Sequence, residues 1–137
     1  MKQTLFFIVL FICGQSLSQN ISSLEKEVYN VVNKYKLKTT KTSVILDSAL
    51  SSGSEEHTEF MVETQSLEHA EYINSKGEII QKTNNINCTD AQVAEKILTN
   101  FLNSPSHKEI LDMNIRKIGV GIVTEDSGYV WVTIRVR

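Results

Sequence analysis

Cysteine is almost missing from this chain: its 137 residues include 2. Cys13 lies in the leading apolar stretch, so removal of that stretch would leave Cys88 alone. One thiol makes no intrachain disulfide, even in a compartment that permits one. A hydrophobic core must then hold the fold unaided, and Cys88 is expected inside it as a small apolar residue rather than a free thiol. An excess of one charge is missing too: 14 Lys+Arg stand against 16 Asp+Glu, a formal net charge of -2. With no basic stripe and only 7% aromatic residues, neither an electrostatic footprint nor a stacking platform for nucleic acid is present, and no nucleic-acid partner is expected. The chain lacks a glycine-rich phosphate loop, a Ser/His/Asp signature and paired Cys/His metal spacing. It shows no internal repeat. The length suits one domain, and 41% hydrophobic with 22% charged residues is ordinary for a globular one.

A long hydrophobic run is the next absence. Leu5–Ile12 is apolar throughout but falls short of the ~20 residues that span a bilayer. It follows Met1-Lys2-Gln3 and precedes Ser16-Leu17-Ser18, a positive start and a small-residue cleavage site. Residues 1–18 therefore read as a secretory signal peptide cut after Ser18. An uncleaved anchor is the alternative, and the short run argues against it. Ile12, where a lipoprotein signal wants a small residue, argues against lipidation at Cys13. The expectation is an exported mature chain, 19–137, secreted or periplasmic, that meets the membrane only transiently through its signal peptide. So lean a chain without disulfides points to a bacterial source.

What is present is periodicity. Ser22 with Glu25 has capping-box spacing, and Leu24, Val28, Val31, Val32 and Tyr35 share one face, predicting a helix over Ile21–Tyr35. Lys36–Ser43 is polar and threonine-rich, hence a loop. A second helix is predicted from about Asp47 to Thr64, its apolar side made by Leu46, Leu50, His57, Phe60, Met61 and Val62. Ser51-Ser52-Gly53-Ser54 forms helix poorly, which predicts a weak or late beginning. Gly77–Gln81 suits a short strand and Lys82–Asn87 a loop. Thr89 with Gln92 opens a third helix whose buried face runs from Ala91 to Leu102. Ser104 is placed to cap a fourth, short helix with Pro105 at its first position. Ile118–Val123, with glycines where backbones can approach, pairs through the turn Asp126-Ser127-Gly128 with Tyr129–Val136. That last strand is apolar enough to need cover on both faces.

The 3 histidines are His57, His69 and His107. Taken alone, each reads as a packed or solvated side chain, and His57, one turn before Met61, as part of a packed helix side. Their surroundings change this. The run Phe101-Leu102-Asn103-Ser104-Pro105-Ser106-His107, followed by Ile118-Gly119-Val120-Gly121, resembles the CAP domain. That domain is shared by cysteine-rich secretory proteins, antigen 5 and plant pathogenesis-related proteins, and is also called the SCP domain; the likeness is to its short bacterial branch. Leu50, His57, Met61, Leu67 and His69 repeat the family's Leu…His…Met…aromatic-x-His spacing, with Leu67 in the aromatic place. Thr83-Asn84-Asn85-Ile86 is matched to the family's Gly-Glu-Asn-Ile loop, Phe101 to its tryptophan, and Ser104-Pro105-Ser106-His107 to its Ser-Pro-Gly-His turn. The resemblance runs from about Val28 to Val136.

The resemblance implies an α/β fold, an α-β-α sandwich with a small sheet flanked by helices. It also implies a central cleft of two histidines and acidic residues, which in several members bind zinc or another divalent cation. Carried over, the pair is His69 and His107, supported by Ser104 and Asn85. The loop glutamate falls on Asn84 and a second acidic position near Ser104, so the cleft would be degenerate unless Glu68, Glu71 or Glu78 substitutes in space. Two imidazoles begin a zinc site that wants three or four ligands. Without a base to manage an activated water, no catalytic residue is identified. The favoured expectation is a module that binds a ligand or partner, lipid or protein. The alternative is a metal-dependent hydrolase, of peptide bonds for example, that uses His69 and His107.

Overall fold

The computed structural model describes residues 21–71 and 73–137. The expected signal peptide and Cys13 lie outside them. In chain order the elements are α1 (Ser23–Thr39), β1 (Ile45–Leu46), α2 (Ser48–Thr64), β2 (Gly77–Asn84), α3 (Asp90–Leu102), α4 (Pro105–Asp112), β3 (Lys117–Thr124) and β4 (Tyr129–Val136). The strands form one sheet in the order β1-β3-β4-β2, with β1 parallel to β3 and the other pairs antiparallel. Helices cover both faces, which makes the expected α-β-α sandwich. β4 is central and buried on both sides.

One face of the sheet is aliphatic. Ile79, Ile118, Val120, Val130, Val132, Ile134 and Val136 pack there against Val28 and Val32 of α1, Val93, Ile97 and Phe101 of α3, and Leu111 of α4. Both predicted capping boxes form, Ser22 with Glu25 and Thr89 with Gln92, each satisfying orphan amides of a first turn. The other face carries α2. Its serines and glycine do not weaken it: the helix starts at Ser48, capped by Asp47, whose side chain accepts from the Leu50 amide at 2.9 Å. Small residues are what this contact requires. A Cβ on Gly119 would sit 2.1 Å from the Leu50 carbonyl carbon, and one on Gly121 2.3 Å from the Glu55 nitrogen. Backbone thus lies on backbone. Ser54 Oγ donates to Leu50 O (2.8 Å) and meets Gly119 O (3.3 Å); Thr58 Oγ1 likewise reaches Ser54 O, Gly121 O and Thr133 Oγ1.

Several boundaries differ from those the sequence predicts. α1 continues four residues past Tyr35 because Lys36 is buried and useful: its Nζ donates to Leu111 O (2.8 Å) and Met113 O (2.6 Å), closing the C-terminal end of α4. Burial lowers the Lys36 pKa, with Asp112 opposing. Leu46 is not helical but pairs with Ile118 as β1. β2 extends to Asn84, because β4 pairs it residue for residue as far as Tyr129; three residues of the predicted asparagine loop are therefore strand. Phe60 points outward, and Cys88 is exposed rather than buried. It lies in the short link between β2 and α3, beyond the reach of either core.

Candidate functional site

Glu78 is the second residue of β2, opposite Arg135 of β4 and facing the α2 side. It is 4% exposed, and its carboxylate is engaged at both oxygens. Oε2 accepts from Arg135 Nε at 2.9 Å. Oε1 accepts from the Ala70 amide at 2.9 Å and from His69 Nδ1 at 3.1 Å. Burial alone would raise the Glu78 pKa, but the Ala70 amide, Arg135, His69 and the nearby charge of His57 outweigh it and hold the group below its ordinary value. A carboxylate cannot donate, so His69 carries its proton on Nδ1 and turns Nε2 outward.

His57, on α2, is buried, stacks on Phe60 with ring centroids 6.1 Å apart, and donates from Nε2 to the Glu68 carbonyl at 2.8 Å. Its Nε2 also lies 3.8 Å from Glu78 Oε1. It packs, as its place on the helix predicts, and it ties down the peptide immediately before His69. Unlike Glu78, His69 is open to solvent, with 58% of its side chain accessible.

His107 comes from the first turn of α4, where it meets Phe101 edge-on at 5.3 Å. Burial lowers its pKa and the charge of His69 lowers it further, so the two imidazoles lie within electrostatic reach of each other. Gly77 lets α4 come close: a Cβ there would stand 3.0 Å from Ile110 Cγ2. The close approach of α4 to the start of β2 therefore puts the helix that carries His107 near the end of the sheet where Glu78 holds His69.

Ser104 holds the N-cap position of α4 with Pro105 next, but its hydroxyl shares a hydrogen bond with Ser106 Oγ at 3.3 Å and does not cap. Asn84 and Asn85 stand elsewhere. Asn84 Oδ1 accepts from Lys96 Nζ at 2.9 Å, and the Asn85 amide donates to Gly128 O. Asn84 lies six strand steps beyond Glu78, about 20 Å at 3.3 Å per residue. The acidic partner of His69 is Glu78. A signal for it exists: Gly77-Glu78-Ile79-Ile80 keeps three of the four residues of the Gly-Glu-Asn-Ile pattern, whereas Thr83-Asn84-Asn85-Ile86 keeps two. Glu68 contributes only its carbonyl, and Glu71 is exposed.

Two imidazoles do not make a firm zinc site. Among the described residues no group of three or more His, Cys, Asp or Glu side chains is placed to hold a metal, and both Glu78 oxygens already have donors. One feature does suit metal: an imidazole whose Nδ1–H is held by a carboxylate presents the other nitrogen as a ligand. An open groove of about 530 Å³ lies along α4 between Pro105, Lys108, Glu109, Asp112 and Met113, without His107 in its lining.

Among the described residues no helix is long and apolar enough to cross a membrane. The fold is similar to that of an outer surface protein of Borrelia burgdorferi, at 19% identity and a TM-score of 0.63, over 83% of this chain and 92% of that one. It is also similar to an extracellular SCP-domain protein of Bacillus anthracis, at 12% identity and a TM-score of 0.62. There the match takes 83% of this chain but only 40% of the other. NaASP2, solved with Zn2+, matches at 9% identity and a TM-score of 0.61, over 87% and 82% of the two chains. A search of curated protein sequences gives no match. The model of the CAP family, the cysteine-rich secretory protein family, matches residues 29–134, and the chain belongs to that family.

Proposed function

We propose that this is an exported CAP-domain binding module whose cleft presents the imidazoles of His69 and His107 to a ligand or partner. One observation carries the preference for binding over catalysis: Glu78 is engaged at both oxygens. Its oxygens accept from Ala70, His69 and Arg135, and these donors hold it below its ordinary pKa despite its burial, so the carboxylate closest to the histidines is a weak base. Export rests on the signal-like residues 1–18 and agrees with the surface and extracellular sources of two structural neighbours. The ligand classes that suit exposed imidazole together with exposed apolar side chains, Phe60 stacked on His57 and Leu67 two residues before His69, are a lipid with a polar head or a protein segment.

The second reading is a metal-dependent hydrolase, a peptidase for example, with zinc on the two imidazoles. The His69–Glu78 hydrogen bond favours it, as does the zinc-bound state of NaASP2. When bound, zinc would polarise a substrate oxygen or a water. The chain itself would hold the ligand nitrogens in place and supplies no base. Calorimetric titration of residues 19–137 with zinc, beside His69→Ala and His107→Ala, separates the readings. The binding module predicts weak binding or none. Micromolar or tighter binding, lost in both variants, would overturn that and restore the hydrolase.

A further inference from the structure

Arg135 lies in the central strand, its side chain 13% exposed, and the sequence motifs assign it no role. A Cβ built on Gly53 would fall 2.5 Å from Arg135 Nη1, so the guanidinium occupies the space a side chain of α2 would need. Glycine inside a helix costs roughly 0.5–1 kcal/mol relative to alanine, which makes its presence there informative. From the geometry we infer that Arg135, seated against Gly53, is a positioning residue of the histidine site. It anchors Glu78 Oε2, so that Oε1 is left to receive the Ala70 amide and His69 Nδ1, and His69 consequently offers Nε2 to whatever binds.

The chain of contacts is short and continuous. Arg135 Nε meets Oε2 at 2.9 Å, and the same carboxylate meets His69 Nδ1 at 3.1 Å. Arg135 also faces Gly119 and Glu78 in the ladder, and glycine on one side leaves the guanidinium only the glutamate as a cross-strand partner. A lysine at 135 could supply charge at one point but not a planar fork filling the Gly53 notch. The role deepens the binding proposal yet is read without any ligand.

The test is the tautomer of His69, read from long-range 1H–15N correlation spectra of residues 19–137 at pH 8, where a free imidazole is neutral. In the unaltered protein the Nδ1–H form should dominate. In Arg135→Gln it should give way to the Nε2–H form that free histidine prefers, while His107 keeps its pattern. Gly53→Ala, which moves the guanidinium and leaves its charge, should give a mixture. Should Arg135→Gln fail to fold, Gly53→Ala and Arg135→Lys decide alone. A folded variant of any of the three with an unchanged Nδ1–H signature overturns the role. That result would leave the zinc titration and the binding proposal as they stand.

Discussion

The two faces of the sheet are built on opposite principles. Against α1, α3 and α4 the contact is mainly apolar side chain on apolar side chain, with Gln81 donating to Ile97 O as a polar exception, and its strength is buried apolar area. Against α2 it is backbone on backbone, with Gly119 and Gly121 below Leu50–Glu55 and Ser54, Thr58 and Thr133 sharing hydrogen bonds. Met61, Ile80 and Trp131, with Val62 packed against them, form a small apolar cluster there. The histidine–glutamate–arginine group belongs to this second face. Close backbone approach leaves no slack, which suits a face that must hold a carboxylate to within hydrogen-bonding distance of three donors. The aliphatic face supplies bulk stability; the polar face supplies position.

The comparison breaks most sharply by adding one methyl group to the tight face. In Gly119→Ala the new carbon meets backbone, 2.1 Å from Leu50 C, and backbone cannot rotate away. Overpacking costs about 1–3 kcal/mol in ordinary cores; here urea unfolding should show about 3 kcal/mol or a failure to fold. Removing one methyl group from the aliphatic face is the matched change. Ile97 is fully buried, yet Ile97→Val should cost only about 0.5–1.5 kcal/mol. Equal losses in the two variants would mean that the faces do not differ as described.

The same contrast governs what was legible in the sequence. Aliphatic packing announces itself as period, so α1, α3 and β4 are readable from Leu24 to Tyr35, Val93 to Phe101 and Val130 to Val136, and both capping boxes are local. The tight face writes no such signal. Ser51, Gly53 and Ser54 look like poor helix formers because propensity is a property of the chain alone, whereas Gly119 and Gly121 decide their value from about 65 residues away. Lys36 misleads in the same manner, its partners being the distant carbonyls of Leu111 and Met113. At the site, the pairing of His69 with His107 is an expectation carried over from the family resemblance. Glu78 is one of three glutamates that the sequence offers as a substitute in space, and what singles it out, the Ala70, His69 and Arg135 donors, exists only in the folded chain.

Titration sharpens the comparison further, since His107 and Glu78 both stand at the site. The His107 pKa is lowered by burial and by His69, so the unfolded chain takes up that proton first as pH falls. Stability should therefore decline below about pH 6.5. Glu78, lowered despite its burial, contributes stability that is complete above its unfolded value near 4.3 and is lost as pH falls through its folded one. Urea midpoints measured from pH 8 to pH 3 should fall in two stages. His107→Asn should remove the upper stage and spare the lower; persistence of the upper stage would assign it to another group.

The smallest expected effect is at Asn84, and it discriminates between the two ends of β2. If the family's glutamate belonged at 84, Asn84→Glu would complete a cluster with the histidines and raise zinc affinity. The structure instead puts that side chain on Lys96, at 2.9 Å, about 20 Å of strand away from Glu78. A glutamate there gains an exposed ion pair with Lys96, worth about 0–1 kcal/mol, and leaves zinc affinity unchanged. Glu78→Gln is its counterpart at the near end. An amide oxygen can still receive Ala70 or His69, but it no longer balances the Arg135 charge, and loss of one partner of a buried pair typically costs about 3–5 kcal/mol. Higher zinc affinity in Asn84→Glu would therefore count against the strand register of β2 itself, because no side-chain rearrangement spans that distance.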